Sequence, residues 1–308
     1  MILSICPNPS IDCTIELDNL NVGMLNRINN KVETYSGKAL NVAIGVARLN
    51  KPCVATGFMF EDHKSMFEHV LKKEGVEYDF VYSPGASRTN YKIIDRKSML
   101  TEINDKGAEV SVKKQYELID KITELSKKCT ICVMSGSLPS GVSKEFYGQA
   151  LSVIPKDVKV IVDAEKDNVL SAVASRPIFM VKPNLKELES FAGKNLSSKA
   201  EIAEACKGYV NLGVKYVMVS LGSEGAILTD GKRNLYCKSA NVAVNSTVGA
   251  GDSMVAAICS ALIDGCDQEE MLLRAVSAGT AAVTTSGTNL FYKDKYDEIY
   301  SKIFVEEF

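Results

Sequence analysis

Short apolar runs alternate with longer amphipathic segments along most of this chain, and that alternation constrains the fold more than any other feature. The pattern opens with the run Ile2–Cys6 and becomes regular from residue 113 onward. Short runs of this kind suit strands that are buried on both faces of a parallel sheet. Repeated strand-helix units predict an α/β fold: a doubly wound, mostly parallel sheet flanked by helices. The predicted strands are 2–6, 53–58, 77–82, 131–134, 160–163, 179–181, 216–220, 226–229 and 234–237, and the predicted helices are 64–74, 113–126, 144–153, 251–264, 269–283 and a last one near 294–304.

Two segments interrupt the alternation and predict a small β unit beside the core. Residues 13–36 are polar and favour strands, with no helical face. Later, the strand-like runs 90–94 and 99–103 are joined by a polar turn, which indicates a hairpin. In this hairpin Arg88, Asn90 and Lys92 alternate, so their side chains share one face of a strand. That face could hold a phosphorylated sugar; the alternative is a solvated edge strand that carries lysine against aggregation.

Composition excludes several classes of function. The chain has 308 residues and a formal net charge of −2 at pH 7, so it lacks the basic surface that nucleic acids and acidic membranes select. No apolar run approaches the roughly 20 residues of a membrane span. The N-terminal run lacks a basic region and breaks at Pro7, unlike a signal peptide. We expect a cytoplasmic protein that binds neither nucleic acid nor membrane.

The nine cysteines include one C-x-x-C spacing, Cys129 to Cys132, which lies beside a predicted central strand. No second pair or histidine cluster completes a zinc set. Core cysteines in a reduced protein are therefore expected.

A glycine-containing loop, Ser246–Ser253, leads into an apolar run that suits a buried helix. Gly249 and Gly251 leave no side chain in the way, so successive backbone N–H groups can point at an anion. At a helix N-terminus such groups favour a phosphate. The carboxylate of Asp252 follows directly and suggests a base for a hydroxyl that attacks phosphorus, the alternative being an ordinary first-turn Asp.

Other polar turns follow predicted strands. Asp12 comes just past the end of the first strand, where open α/β sheets keep their ligands. The turn Gly37-Lys38 opens a helix and suggests either a second anion site or a plain helix entry with a solvated lysine. Asn184 and Glu187 have the spacing of a capping box, which explains that pair adequately.

Together these motifs resemble the ribokinase family in its phosphofructokinase-B branch, over nearly the whole chain. Thr247–Ser253 resembles the family's C-terminal signature, Gly37-Lys38 its substrate turn, and Asn184 with Glu187 its metal-associated N-x-x-E. The resemblance implies a doubly wound core with a small, discontinuous β lid. The core would comprise residues 1–11, 37–85 and 112–308, and the lid residues 12–36 and 86–111.

The resemblance also implies an activity, which is transfer of the γ-phosphoryl group of ATP to a sugar hydroxyl with Mg²⁺. Asp252 would be the base, and the amides of Gly249, Ala250 and Gly251 would stabilise charge on the transferring group. Asn184 and Glu187 would act on the Mg²⁺ shell through water. The residues that would border the nucleotide are Lys182, Ser220, Gly222, Gly225 and Thr247.

The segments Asn8–Asp12, Arg88–Lys92 and Gly136–Pro139 resemble the family branch that phosphorylates hexose phosphates, chiefly 1-phosphofructokinase and tagatose-6-phosphate kinase. A charged substrate needs cations that an acidic protein must supply locally. We therefore expect D-fructose 1-phosphate to be converted to fructose 1,6-bisphosphate, with tagatose 6-phosphate or another sugar of the family as the alternative. By this resemblance Lys38, Arg88, Lys92 and Ser137 would grip the phosphate on the sugar, and Asp12 and Asn41 its hydroxyls, with Gly37 and Asn90 beside them.

The chain departs from the family's usual Gly-Gly-Lys-Gly, which here reads Ser36-Gly37-Lys38-Ala39. A positive φ at Ala39 would cost about 1 kcal/mol, whereas an ordinary φ would make the change harmless. The departure keeps open a non-catalytic sugar-phosphate sensor on the same scaffold.

Two further expectations concern the protein's class and its assembly. A dinucleotide-dependent oxidoreductase is disfavoured, because Pro7-Asn8-Pro9 stands where G-x-G-x-x-G should follow the first strand. A small β lid exposes a sheet face, and we expect a homodimer that buries it.

Overall fold

Two β-sheets organise the structure, a computed structural model that describes residues 1–97, 99–285 and 290–308. The strands are β1 (Ile2–Cys6), β2 (Ser10–Glu16), β3 (Asn30–Ser36), β4 (Cys53–Phe60), β5 (Glu77–Tyr78), β6 (Val81–Ser83), β7 (Arg88–Ile94), β8 (Leu100–Asn104), β9 (Ile131–Ser135), β10 (Lys159–Asp163), β11 (Ile178–Val181), β12 (Val214–Ser220), β13 (Ala226–Thr229), β14 (Asn234–Cys237) and β15 (Val305–Glu307). The helices are α1 (Lys38–Arg48), α2 (Lys64–Lys73), α3 (Val112–Ser126), α4 (Phe146–Ser152), α5 (Lys166–Ser175), α6 (Leu185–Ala192), α7 (Lys199–Asn211), α8 (Ala250–Ile263), α9 (Gln268–Ala282) and α10 (Lys293–Tyr300).

The large sheet has the strand order β15-β14-β13-β12-β11-β10-β9-β1-β4-β5, with β6 also paired to β4. The pairs from β12 to β5 are parallel, while β13, β14 and β15 add an antiparallel edge. Side chains alternate across the sheet, so Ile2 and Cys6 join one core layer and Leu3 and Ile5 the other. Helices α1, α2, α8, α9 and α10 cover the first layer and α3 to α7 the second. The predicted doubly wound α/β class is confirmed.

The small sheet has the order β3-β2-β7-β8 and is mixed, because β2 pairs antiparallel with β3 and parallel with β7. It leaves the core directly after β1, where two prolines force an extended exit. Its register pairs Asp12 with Asn90, and Lys92 lies two residues farther along β7. The side chains of Asp12, Asn90 and Lys92 therefore share one face of the small sheet.

The order of the large sheet reverses at β1, whose neighbours are β9 and β4. Ligands of open α/β sheets bind outside the carboxyl ends of the strands at such a switch point. The small sheet stands beside this edge of the large sheet. Four polar residues end or directly follow strands β9 to β12 there: Ser135, Asp163, Lys182 and Ser220.

The predicted last helix, 294–304, is wrong in its second half. Helix α10 ends at Tyr300, and the chain then adds β15 to the free edge of β14, pairing Val305 with Cys237. Only the tertiary contact with β14 makes these residues a strand, which a local pattern cannot show. The predicted strand 77–82 is likewise divided between β5 and β6, which pair with different parts of β4.

Cys129 and Cys132 are both buried and free, as expected for core cysteines. Among the described residues no group of three His, Cys, Asp or Glu side chains could hold a metal ion. Within the same ranges no helix is long and apolar enough to cross a membrane.

Candidate active site

A cavity of about 430 Å³ lies where the carboxyl ends of the large sheet meet the inner face of the small sheet. Most of the residues predicted for catalysis and for substrate binding border it, as do Lys182, Ser220, Asn184 and Glu187. In the described part of the chain, Ser137, Gly222, Gly225, Thr247 and Ala250 lie outside its lining. The lining also includes residues that the sequence analysis did not assign to the site: Ser10, Ser36, Glu102, Asn104, Asp163 and Val248.

The loop before α8 forms one wall of the cavity. Gly249 caps the helix with φ 80, a left-handed conformation that favours glycine, and Ala250 and Gly251 begin the first turn. A β-carbon on Gly251 would lie 3.1 Å from Nζ of Lys182, so glycine here lets this ammonium group approach the helix start closely. First-turn amides have no acceptor within a helix, and here they lie beside a cation at the cavity wall. This wall combines the features that stabilise an anion.

Asp252 follows in the same turn and is 6% exposed. Burial is the main cause that raises the pKa of its carboxyl group to about 6, opposed by Lys38 and by a hydrogen bond from Asn41. Nδ2 of Asn41 donates to Oδ2 of Asp252 at 2.7 Å, and Oγ of Ser36 donates to Oδ1 of Asn41 at 3.2 Å. A carboxylate with a pKa near neutrality can accept a proton from a substrate hydroxyl.

The Gly-Lys turn is tightly constrained at its glycine. Gly37 has φ 150, and a β-carbon there would lie 2.8 Å from Sγ of Cys6. Ala39 is the second residue of α1, and among the described residues Asn50 is the only non-glycine with positive φ. Alanine in place of glycine at position 39 therefore causes no backbone strain.

Asp163 ends β10 inside the cavity, and sequence reasoning missed it. Its Oδ1 lies 3.4 Å from Nζ of Lys38, and its Oδ2 lies 3.5 Å from Nζ of Lys182. Burial opposes ionisation, but the two ammonium groups outweigh it and lower the pKa of Asp163. The same ion pair raises the pKa of Lys38. A polar residue closing a buried strand at the ligand edge was the signal that could have identified Asp163.

The small sheet forms the opposite wall. Asp12 accepts a hydrogen bond from Nδ2 of Asn90 at 3.1 Å and lies 3.5 Å from Nζ of Lys92. Arg88 donates from Nη2 to the carbonyl of Asn8 at 3.4 Å, and burial lowers its pKa. Its Nε is buried with no hydrogen-bond partner among the described residues. This guanidinium therefore has donor capacity left for a ligand.

Ser137 lies close to this wall, although it does not line the cavity. Its Oγ accepts a hydrogen bond from Nδ2 of Asn8 at 3.3 Å, and Asn8 also holds Arg88. The loop after β9 and the start of β7 are thereby joined through one buried asparagine.

Asn184 and Glu187 form the predicted capping box. The side chain of Asn184 accepts from the amide of Glu187 at 2.9 Å, and Oε2 of Glu187 accepts from the amide of Asn184 at 2.8 Å. Oε1 of Glu187 is left for other partners. The box fixes both side chains at the cavity, where Asn184 forms a parallel bridge with Ser220.

The other nucleotide candidates lie farther along this edge. Gly222 is part of a short 3₁₀ turn with open space around it. Gly225 has φ 92, and a β-carbon there would lie 1.9 Å from the carbonyl oxygen of Cys237. This close backbone contact is sufficient to require glycine at position 225. Thr247 lies in the loop just before α8.

Comparison with known proteins gives the same picture along the whole chain. The family model described as pfkB family carbohydrate kinase matches residues 7–295. The 1-phosphofructokinase of Borreliella burgdorferi is 32% identical over 284 residues, covering 91% of each chain. The tagatose-6-phosphate kinase of Staphylococcus epidermidis is 29% identical over 311 residues, covering 100% of both. The structure of phosphofructokinase-2 from Escherichia coli in complex with substrates and products superposes with a TM-score of 0.89 at 30% identity, over 97% of this chain and 98% of that one.

Proposed function

This chain belongs to the pfkB family of carbohydrate kinases, and we propose that it phosphorylates D-fructose 1-phosphate to fructose 1,6-bisphosphate. A kinase of this family takes its phosphoryl group from ATP. The relatives named 1-phosphofructokinase and tagatose-6-phosphate kinase support a hexose phosphate as the acceptor.

The environment of Arg88 is the main observation that supports a phosphorylated sugar as the substrate. It is a partly buried cation at the cavity wall whose Nε is buried without a hydrogen-bond partner. Asp12, Glu165 and Asp105 act on its charge, but within the described residues none of them forms an ion pair with it. A partly buried guanidinium with an unused donor favours an anionic ligand, and a phosphate would satisfy several of its donors at once. Lys92 lies on the same strand face, and Ser137 is held nearby through Asn8. A free sugar would bring no anion to this guanidinium.

The transfer step follows from the opposite wall. The substrate hydroxyl gives its proton to Asp252, whose pKa of about 6 leaves it largely ionised at neutral pH. The amides of Gly249, Ala250 and Gly251, with Lys182 beside Gly251, stabilise negative charge on the phosphoryl group as it transfers. Lys38 stands between the two walls, held by Asp163.

The donor set at the cavity fits Mg²⁺ held mainly through water. Mg²⁺ keeps several waters and binds one or two carboxylates. Glu187 has a carboxylate oxygen outside its capping box. Oδ2 of Asp163 lies 3.5 Å from Nζ of Lys182 and has space for a further donor such as a water of the ion. When bound with ATP, the ion would neutralise charge on the phosphates. Asn184, Glu187 and Asp163 would hold its water shell.

Tagatose 6-phosphate is the second candidate, because the tagatose-6-phosphate kinase matches the full length of this chain. Its phosphate could use the same cations. The two substrates differ in the sugar hydroxyls, which would face Asp12, Asn41 and Asn90.

We also propose that residues 12–36 and 86–111 act as a lid and carry a homodimer interface. The small sheet turns Tyr91 and Ile103 outward as cross-strand neighbours, 39% and 55% exposed. Apolar side chains paired on an open sheet face favour burial against a second copy. A tetrameric form of phosphofructokinase-2 from Escherichia coli, a structural neighbour, supports assembly in this fold.

An assay of ADP release tests the proposed reaction. Mg²⁺ and ATP are supplied with fructose 1-phosphate, tagatose 6-phosphate, fructose 6-phosphate, free fructose or ribose. We expect the highest kcat/KM with fructose 1-phosphate and little turnover of free sugars. Equal or better kcat/KM with a free sugar would refute the phosphate-binding role. Binding of the sugar phosphates without ADP release would indicate the sensor.

A further inference from the structure

Ser36 and Asn41 form a buried hydrogen-bonded chain that ends on Asp252. Ser36 is 2% exposed, and its Oγ donates to Oδ1 of Asn41 at 3.2 Å. Asn41 is 6% exposed, and its Nδ2 donates to Oδ2 of Asp252 at 2.7 Å. Ser36 is the last residue of β3 and Asn41 lies in the first turns of α1, so the turn at Gly37 brings the two side chains together.

The side-chain amide of Asn41 can face Asp252 in two ways. It presents its NH₂ group, which donates to the carboxylate, or, after rotation, its carbonyl oxygen, which repels it. A hydroxyl group that donates to Oδ1 favours the first orientation. It also polarises the amide, which makes the NH₂ group a stronger donor. Without this hydroxyl, a buried carbonyl oxygen would lack a partner.

The charges around Asp252 make this neutral donor consequential. Lys38 from α1 and Lys182 after β11 favour the carboxylate, whereas Asp163 from β10 opposes it. These three charged groups also interact with one another, because Asp163 pairs with both lysines. Asn41 is the one hydrogen-bond partner that the described residues give to the Asp252 side chain.

We propose that Ser36 is a positioning residue for the catalytic base, acting through Asn41. The proposal rests on the function proposed above, in which Asp252 accepts the proton. The hydroxyl group of Ser36 is the part of this residue that reaches Asn41, and a glycine at position 36 would lack it.

The test replaces Ser36 and follows two quantities across pH. Ser36→Ala removes the hydroxyl, Ser36→Thr retains it, and Ser277→Ala is a matched control. The control removes a buried hydroxyl that donates to Leu273 in α9, away from the cavity. The first quantity is the pH profile of kcat with the preferred sugar phosphate. The second is the midpoint of thermal unfolding between about pH 5 and pH 8, which needs no activity.

We expect Ser36→Ala to move the acid limb of the kcat profile upward by about 0.5 pH units and to lower kcat at pH 6 about 2-fold. Ser36→Thr should restore the profile. Because the Asn41 hydrogen bond favours the ionised form, weakening it destabilises the fold more at high pH. The deficit in unfolding midpoint should therefore grow by about 2 °C from pH 5 to pH 8.

A deficit that is the same at every pH, as expected for Ser277→Ala, together with an unmoved acid limb would overturn the proposal. If no sugar is phosphorylated, the proposed function fails, yet the unfolding midpoints still show whether Ser36 acts on Asp252. If Ser36→Ala does not fold, Ser36→Cys keeps the shape with a weaker donor and is subject to the same two expectations.

Discussion

Nζ of Lys38 lies 3.4 Å from Oδ1 of Asp163, and this pair sets the charge balance of the site. Asp163 also lies 3.5 Å from Lys182, and it is 2% exposed. Two ammonium groups that would repel each other are thereby held at one cavity by a single carboxylate. Positive charge is thereby kept at the cavity, while the carboxylate of Asp163 offsets part of it.

Replacing Asp163 with asparagine should therefore destabilise the fold. We expect a loss of about 2 kcal/mol in the free energy of unfolding, less than for a fully buried pair because the Lys38 side chain is 45% exposed. The folded pKa of Asp163 is lowered, so its stabilisation exists above the unfolded pKa and is lost as pH falls through the folded one. Urea unfolding should show a constant deficit from about pH 5 to 8 that shrinks below about pH 4. The exposed Asp157→Asn is the control, and an equally small deficit in both variants would contradict the assignment.

Asp252→Asn should lower kcat by about 10²-fold or more, because the variant cannot accept a proton. In the unmodified protein kcat should fall as pH drops through about 6, where Asp252 becomes protonated. The ADP-release assay measures both effects. Near-normal turnover in Asp252→Asn would show that another group is the base.

The same substitution should stabilise the protein at high pH. The folded pKa of Asp252 is raised, mainly by burial, so its contribution to stability is present below the unfolded pKa and is lost as pH rises through about 6. Asp252→Asn removes that loss, and we expect it to gain on the order of 2 kcal/mol over the unmodified protein between pH 4 and pH 8. Urea unfolding at the two pH values gives the comparison. A pH-independent difference would mean that Asp252 is not held in a raised-pKa environment.

Sequence patterns predicted the parts of this structure that depend on local order. The alternation of strands and helices gave the fold class, and the two-residue period of β7 placed Arg88, Asn90 and Lys92 on one face. The sequence did not identify Asp163 as a site residue, because a single acidic residue at a strand end forms no recognisable motif. Its role depends on ion pairs with two lysines that are distant in sequence. The hydrogen-bonded side chains of Ser36, Asn41 and Asp252 could not be predicted for a similar reason, because Asp252 is far from the other two in sequence.

The Gly-Lys turn offers a paired test of backbone strain. Gly37→Ala places a β-carbon 2.8 Å from Sγ of Cys6 at φ 150, so we expect a loss of about 2 kcal/mol or more in stability and a fall in activity. Ala39→Gly, at a helical position, should cost only about 1 kcal/mol. Thermal unfolding of both variants provides the measurement. Equal losses would show that Gly37 is not strained.

The proposed dimer predicts that a charge on the outer face of the small sheet will separate the subunits. Ile103→Lys should convert a dimeric mass to a monomeric one, because burying an ammonium group in the interface is costly. Leu212→Lys is the control, since Leu212 is 44% exposed at the end of α7. Light scattering at about 10 μM measures the mass of each. A dimer that persists in Ile103→Lys would place the interface elsewhere.

Arg88 should decide between phosphorylated and free sugars. Arg88→Met removes the partly buried charge and its donors, and we expect kcat/KM for fructose 1-phosphate to fall about 10²-fold, mostly through KM. For free fructose, which has no phosphate to bind, the low kcat/KM should stay within about 2-fold. Arg88→Lys should recover only part of the loss, because an ammonium group cannot make the paired hydrogen bonds of a guanidinium. Arg96→Met is the matched control, since Arg96 lies in the hairpin turn and pairs with Asp18 at the surface. If Arg88→Met lowered kcat/KM for both sugars equally, Arg88 would support the sheet and not the substrate phosphate, and the choice of a sugar phosphate would lose its main structural support.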